Sequence, residues 1–455
     1  MLLLVELLIA IVVMIVLISK FKVHPFISMM LVSVILALFV LPIDKVATTI
    51  NEGFAGTMKS IGIVIILGAL IGFIVEKTGA AVKIADVVVK MVGKKRPELA
   101  MLIMGWIVSI PVFCDSGFVI LNPIRKSLRK ITKKSSVAMT VALSLGLYAS
   151  HVFIPPTPGP IAAAANVGLG DNLLLVIGMG ALVSIFALVP AYFFAVYIGK
   201  KVKTPEDDDN VDMNAPKEAF DNLKNTYGEL PNAWLSFAPI VVPVLAMGLG
   251  TIATALKLPG VKIFNFIGAP IIALTIGVIF GVILLWTTGK IKDFGKITEE
   301  NLKIVGPILF ITAAGGVLGK IISDAGVVSY VTQNADALKF LGIFFPFLIS
   351  AILKIAQGSS TVAITTTSAM MGLYTANDSV MASLGFNTPI AAALVVMAIA
   401  AGAMTVSHAN DSYFWVVTNL GEMTPEQGYK TQTLGTLVEG IGSIIGVFLL
   451  SLFML

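Results

Sequence analysis

The sequence predicts an all-α polytopic membrane protein made of two inverted repeats, each with five transmembrane spans, one re-entrant helical hairpin and a helix broken at the midplane. Three observations carry this prediction. Of 455 residues, 57% are hydrophobic and 13% charged, whereas soluble domains carry roughly 25% charged residues. Ten apolar runs approach or exceed the ~20 residues that a helix needs to cross a bilayer. One long polar segment divides the chain into halves that share glycine spacing and polar interruptions.

The runs are 2–19, 24–42, 60–76, 136–169 and 173–198 in the first half, and 233–257, 263–287, 303–323, 389–420 and 434–455 in the second. The N-terminal run lacks a basic leader and a small-residue cleavage site, so it reads as a span and not as a removed signal. Runs 136–169 and 389–420 are too long for one simple helix, and each is interrupted by polar or proline-rich residues. Stretches 99–134 and 340–374 each have an apolar limb, a small polar centre and a second limb. Two half-length helices meeting at a tip inside the membrane would give that pattern. The first repeat is therefore 1–198 and the second 233–455, joined by a hydrophilic linker at 199–232 rich in Pro, Asp and Asn.

Basic residues set the expected orientation. Loop 77–98 holds Lys77, Lys83, Lys90, Lys94, Lys95 and Arg96, and the exit of the first hairpin holds Arg125, Lys126, Arg129, Lys130, Lys133 and Lys134. A hairpin returns to the side it left, so both clusters are expected in the cytoplasm, with the linker. Both chain termini are then expected outside. Net charge is +5, and its placement in loops fits membrane orientation; no aromatic-basic patch for nucleic acid is present. Cys114 is the only cysteine, which excludes an intrachain disulfide.

The internal repeat rests on several matches in the same order. Gly68, Gly72 and Gly79 pair with Gly315, Gly319 and Gly326 at one constant offset. The tip at 114–117 pairs with that at 357–360, Ser150-His151 with Ser407-His408, and Asn166 with the Asn419 region. An odd number of spans per half inverts the second copy. Inverted repeats place a shared site at the midplane beside broken helices.

Candidate site residues follow from these interruptions. Half-helix ends expose N–H and C=O groups that are tolerated at membrane depth only against protein, water or ligand. The first tip offers Asp115, Ser116 and Gly117, and a helix N-terminus there suits a carboxylate. The second offers Gln357, Gly358, Ser359, Ser360 and Thr361, which suit hydroxyl groups or a cation. The first break contributes Ser150, His151, Thr157 and Gly159 within a run from Pro155 to Pro160 that cannot stay helical. The second contributes His408, Asn410, Asp411 and Ser412. Intramembrane ionisable residues are functional candidates. Asp115 and Asp411 are the expected proton-coupling pair, since burial favours the protonated form of a carboxyl. Each has a structural alternative as a helix cap. His151 and His408 have one as hydrogen-bonding bridges between helices. Glu439, alone in the last run, reads as structural. Arginine is confined to Arg96, Arg125 and Arg129, so a bound carboxylate would be held by backbone N–H and hydroxyl groups and not by a guanidinium clamp. No HExxH, GxSxG or P-loop pattern is present, which argues against an enzyme, and neither a cofactor nor a metal site is expected.

The segments PVFCDSGFVILNPI at 111–124, HVFIPPTPGPIAAAANVG at 151–168 and SHANDSYFW at 407–415 resemble the gluconate permease family. The resemblance covers nearly the whole chain. It departs at Cys114, where that family commonly has an aromatic residue. It implies secondary uptake of gluconate or a related small sugar or hydroxy acid by proton symport, in a bacterial inner membrane. It also implies a homodimer with scaffold and moving domains, and it adds Pro155 to Pro160 to the site candidates. Sodium coupling, or a D-serine or glycerate-type substrate on the same fold, stands as the alternative, with an intramembrane enzyme as a remote third.

Overall fold

A computed structural model describes residues 6, 9–10, 12–14, 16–17, 21, 23–92, 96–207, 228–325, 341–377, 379–408 and 411–455. The span expected at 2–19 lies largely outside these residues, as do the middle of the linker and the loop after 325. Every regular element is helical and no strand occurs among the described residues. Among the described residues, seven helical segments are long and apolar enough to cross a membrane. Their outer faces carry Phe193, Trp286 and Phe453, each at least 66% exposed. Water would penalise that surface and hydrocarbon would not.

The first half runs α1 (Pro25–Val40), α2 (Ile43–Lys77), α3 (Ala80–Val92), α4 (Pro97–Val108), α5 (Cys114–Thr132), α6 (Ser136–Phe153), α7 (Pro158–Asn166) and α8 (Leu173–Ile198). The second runs α9 (Ala233–Ala255), α10 (Val261–Gly268), α11 (Pro270–Thr287), α12 (Phe294–Asp324), α13 (Phe344–Gln357), α14 (Ser360–Met371), α15 (Val380–Ser383), α16 (Pro389–Met404), α17 (Ser412–Leu420), α18 (Pro425–Gly428) and α19 (Leu434–Met454). Proline opens many of these helices, including α1, α4, α7, α11 and α16. Its missing N–H costs nothing in the first turn, and its fixed φ suits a helix start.

Both expected hairpins are present as helix–turn–helix pairs, α4–α5 and α13–α14. Both expected breaks are present too, between α6 and α7 and between α16 and α17. Three boundaries differ from the hydropathy reading. The helix expected at 60–76 begins at Ile43, and that expected at 303–323 begins at Phe294, because scattered threonine, lysine and glutamate residues lower hydropathy without breaking a helix. The run 263–287 divides at Pro270, which has no N–H to continue the upstream hydrogen bonds.

At the centre stand α6 and α16, whose helical residues are buried almost throughout; a helix apolar on all faces belongs in a core. The first hairpin's entry arm α4 packs on α6, and the second's entry arm α13 packs on α16. The exit arms cross over: α5 packs against α17, and α14 against α7. Asn122 on α5 donates to the Leu420 carbonyl at 3.3 Å, while Asn166 on α7 donates to the Thr365 carbonyl at 3.2 Å. Long helices α2 and α12 lie against each other. Their approach depends on Gly53, where an added Cβ would stand 2.8 Å from the Gly316 carbonyl oxygen. Small residues at such crossings let backbones meet in the absence of a hydrophobic driving force.

The start of the linker is docked. A short 3-10 turn, Pro205–Asp207, brings Glu206 to Arg125, whose two terminal nitrogens reach its carboxylate at 2.7 and 3.0 Å. Arg125 also donates to Asn122 and Ser136, each at 2.7 Å, and Ser136 Oγ bonds Glu206 in turn. Asp207 accepts from the Ser136 backbone N–H at 2.7 Å. Arg125, which sequence alone places in a solvated basic cluster, is fully buried. Burial pushes the Glu206 carboxyl up, but the Arg125, Ser136 and Lys126 hydrogen bonds and the Arg125 charge outweigh it and bring it down to about 2.

Candidate functional site

Between the two hairpin tips and the two breaks lies a cavity of about 430 Å³. Its polar lining comes from four places. Asp115 enters from the first turn of α5, beside Cys114. His151 and Tyr148 come from the last turns of α6. Gly358, Ser359, Ser360 and Thr361 form the second tip. Asp411, Ser412 and Tyr413 start α17. Phe113, Val362, Thr365 and the α12 residues Ile304, Pro307 and Ile311 complete the wall.

Local sequence explains each placement. Chain reversal at the second tip needs Gly358 at φ 87°, a left-handed conformation that side chains disfavour. Ser359 then caps α14, its Oγ accepting from Val362 N–H at 3.3 Å. At the second break, Asp411 caps α17 by accepting from Tyr413 N–H at 3.1 Å. At the first break the prolines end α6 and restart the chain as α7 at Pro158. The N-termini of α5, α14 and α17 therefore all adjoin the cavity. Each presents N–H groups without intrahelical partners and a partial positive charge, which favours an anion between them.

The charged groups are arranged unequally. Asp411 Oδ2 accepts from Lys354 Nζ and from Ser407 Oγ, both at 2.6 Å. Lys354 also donates to the Gly358 carbonyl and stands 5.6 Å from the centre of the Tyr148 ring; it is wholly buried. Asp115 accepts only from neutral groups, Ser412 Oγ at 3.2 Å and the Cys114 thiol at 3.6 Å. Among the described residues it has no ion pair. His151 is 7% exposed, and its Nδ1 has no hydrogen-bond partner among the described residues. A buried ring nitrogen at a cavity wall without a partner is a vacant hydrogen-bonding position.

Of the residues expected from sequence, Asp115, His151, Gly358, Ser359, Ser360, Thr361, Asp411 and Ser412 line the one cavity. Ser116, Gly117, Ser150, Thr157, Gly159 and His408 do not. Ser150 and Thr157 turn back onto the carbonyls of Leu147, His151 and Ile154. Gly117 and Gly159 face the side chains of Leu147 and Ile364, and Ser116 lies near Glu76. His408 Nε2 lies 3.1 Å from the Ile355 carbonyl oxygen, a bridge between helices. Asn410 and the side chain of Gln357 lie outside the described residues. Glu439 is fully buried on α19, away from the cavity, and neither carboxylate oxygen has a partner among the described residues.

Sequence reasoning missed Lys354, Tyr148, Tyr413 and Pro307. The signal for Lys354 was available: it is an ionisable residue in an apolar hairpin limb, which by itself marks a functional position. The tyrosines lie within apolar runs where their hydroxyls attract no notice. Pro307 interrupts the hydrogen bonding of α12 beside the cavity.

The fold is similar to that of the YdaH transporter of Alcanivorax borkumensis, with a TM-score of 0.67 at 14% identity, covering 95% of this chain and 99% of that one. MtrF of Neisseria gonorrhoeae gives a TM-score of 0.64 at 13% identity, covering 95% and 96%. An uncharacterized permease of Haemophilus influenzae is 34% identical, covering 91% of this chain and 85% of its own length. The inner membrane permease YgbN of Escherichia coli is 31% identical with 94% of each chain covered. A gluconate permease of Zymomonas mobilis is 29% identical with 96% and 95% covered. The family model described as GntP family permease matches residues 2–453. A multi-pass helical fold, a polar cavity among broken helices and these relatives, which are permeases and not enzymes, agree: the chain belongs to the GntP permease family.

Proposed function

We propose that this permease imports gluconate or a closely related small sugar or hydroxy acid by proton symport. The observation that carries the proposal is the single cavity that gathers Asp115, Asp411, both hairpin tips and the vacant His151 nitrogen. Three helix N-termini suit a carboxylate. The hydroxyls of Ser359, Ser360 and Thr361, with His151, suit the hydroxyl groups of a polyol acid. Relatives named as gluconate permeases or transporters, from Zymomonas mobilis and Escherichia coli, support the same substrate class.

Alternating access rests on an inverted-repeat reading. Its support is the crossed packing of the exit arms, α5 on α17 and α14 on α7, and the matching order of hairpin, broken helix and closing helix in each half. In this reading the two tips guard one site from opposite sides, with the Arg125 and Glu206 face in the cytoplasm of a bacterial cell and the carrier working as a homodimer.

Uptake of labelled gluconate into energised membrane vesicles tests the function. An imposed inward proton gradient is expected to drive accumulation, and a protonophore to abolish it. Uptake that ignores the protonophore and stops without sodium would replace the proton by sodium. Absence of gluconate uptake under either gradient would remove the substrate assignment.

A further inference from the structure

Two carboxylates face the cavity, and their surroundings differ enough to divide the work between them. Given the symport reading above, we propose that Lys354 is a positioning residue that holds Asp411 in an ion-paired structural clasp, leaving Asp115 as the carboxylate that carries the coupling proton.

The clasp follows from the hydrogen bonding of Asp411. Its Oδ2 accepts from the Lys354 ammonium and from Ser407 Oγ, both at 2.6 Å. Its Oδ1 accepts from the Tyr413 backbone N–H at 3.1 Å. An ammonium and a backbone amide can only donate. A proton on Asp411 would be confined to the lone pair left on Oδ1, and it would remove the charge that faces the Lys354 ammonium. Lys354 is wholly buried and cannot reach water. Losing its partner would strand a charge in a low-dielectric interior, which is the costly way to break a buried pair. The same ammonium donates to the Gly358 carbonyl, so one side chain ties the second hairpin tip to the second break. The pair sums to zero charge.

Asp115 is held otherwise. Its donors, Ser412 Oγ and the Cys114 thiol, are neutral, and both can also accept. A proton arriving through the cavity is accommodated by rotation of these groups, with no ion pair broken. The remaining titratable groups facing the two carboxylates are Tyr148, Tyr413 and His151. Tyr148 and Tyr413 bond to the backbone carbonyls of Ala403 and Ser144. Ser412 follows Asp411 directly and bonds to Asp115, so a change of protonation at Asp115 acts on a residue anchored beside the clasp. An empty site with one ionised carboxylate beyond the neutral pair carries the same charge as a loaded site with that carboxylate protonated and a monoanion bound. Proton and substrate then enter together without net charge.

The test uses the full-length protein in proteoliposomes, with labelled gluconate and an internal pH dye. Asp115→Asn is expected to lose pH-driven accumulation by at least about tenfold, and whatever exchange of internal for external gluconate it retains is expected to move no protons. Asp411→Asn, which can still cap α17, and Lys354→Met each leave one buried charge unpaired and are expected to reduce uptake by about tenfold or more. The double variant Lys354→Met with Asp411→Asn removes both charges and is expected to recover uptake above either single variant, at the proton-to-gluconate ratio of the natural protein. A double variant that exchanges gluconate without accumulating it would make Asp411 the coupling group and overturn the inference. So would normal accumulation by Asp115→Asn, a measurement that stands even if the other variants do not fold. If the natural protein carries gluconate without moving protons, the symport reading itself fails, which this design separates from failure at Lys354.

Discussion

The two hairpins share a plan and differ in where they carry charge. The first places Asp115 just past its tip, on the exit arm, against neutral donors. The second places Lys354 just before its tip, on the entry arm, and spends that charge on Asp411 from the neighbouring break. Farther along its exit arm the first hairpin carries Arg125, buried and spent on Glu206 from the linker. Ion pairing thus fixes the base of the first hairpin and the tip of the second, while the carboxylate at the first tip has no ion pair among the described residues. The difference teaches that two hairpins of similar plan can be set apart by a few charged residues and the partners those residues find.

The largest effect expected from this comparison is at the base of the first hairpin. Arg125→Met removes two of the hydrogen bonds to the Glu206 carboxylate and leaves it to Lys126 and Ser136; the loss should cost ~3 kcal/mol, read as a lower unfolding temperature of the purified protein. The pH dependence has a definite sign. Glu206 titrates near 2 in the folded protein and near 4.5 when unperturbed. Its contribution is therefore complete above about 4.5 and is lost as pH falls toward 2. The gap in unfolding temperature between natural protein and variant should stay constant from about pH 5 to 8 and narrow only in acid. A gap that closes near neutrality would mean that some other group holds the linker.

A smaller effect separates Gly68 and Gly315, which the glycine spacing in the sequence aligns with each other. A Cβ on Gly68 would stand 2.7 Å from the Pro156 carbonyl oxygen at the first break, whereas on Gly315 it would meet the Met29 methyl at 3.3 Å and α14 at 3.5 Å. Gly68→Ala should therefore destabilise by ~1–3 kcal/mol. Gly315→Ala meets a flexible methionine end and should lie within about 1 kcal/mol of the natural protein, since alanine also favours the helix. Equal losses at both positions would mean that the two helices are packed equally tightly at these glycines.

Much of this was legible in the sequence, for definite reasons. Hydropathy, the Pro155 to Pro160 run and the polar tips mark hairpins and breaks because a chain at membrane depth has few ways to place unpaired backbone groups. The resemblance of the motif segments to gluconate permeases named the family. What was illegible depends on distant partners. Nothing local distinguishes Arg125, buried against Glu206, from the solvated lysines beside it. Lys354 meets Asp411 across 57 residues, a distance that no periodicity reports. Thr157 and Gly159 belong to the break that shapes the site, yet their own groups turn into the protein, because the residues that end a helix also have to satisfy one another.

The central claim, that substrate occupies the space between the two tips, can be tested in the natural protein through its one cysteine. Cys114 lines the cavity beside Asp115. A small water-soluble thiol reagent should reach it in reconstituted protein, and saturating gluconate should slow that reaction several-fold. A thiol that reacts at the same rate with and without a substrate the protein is carrying, or that cannot be reached from either side of the membrane, would contradict the account.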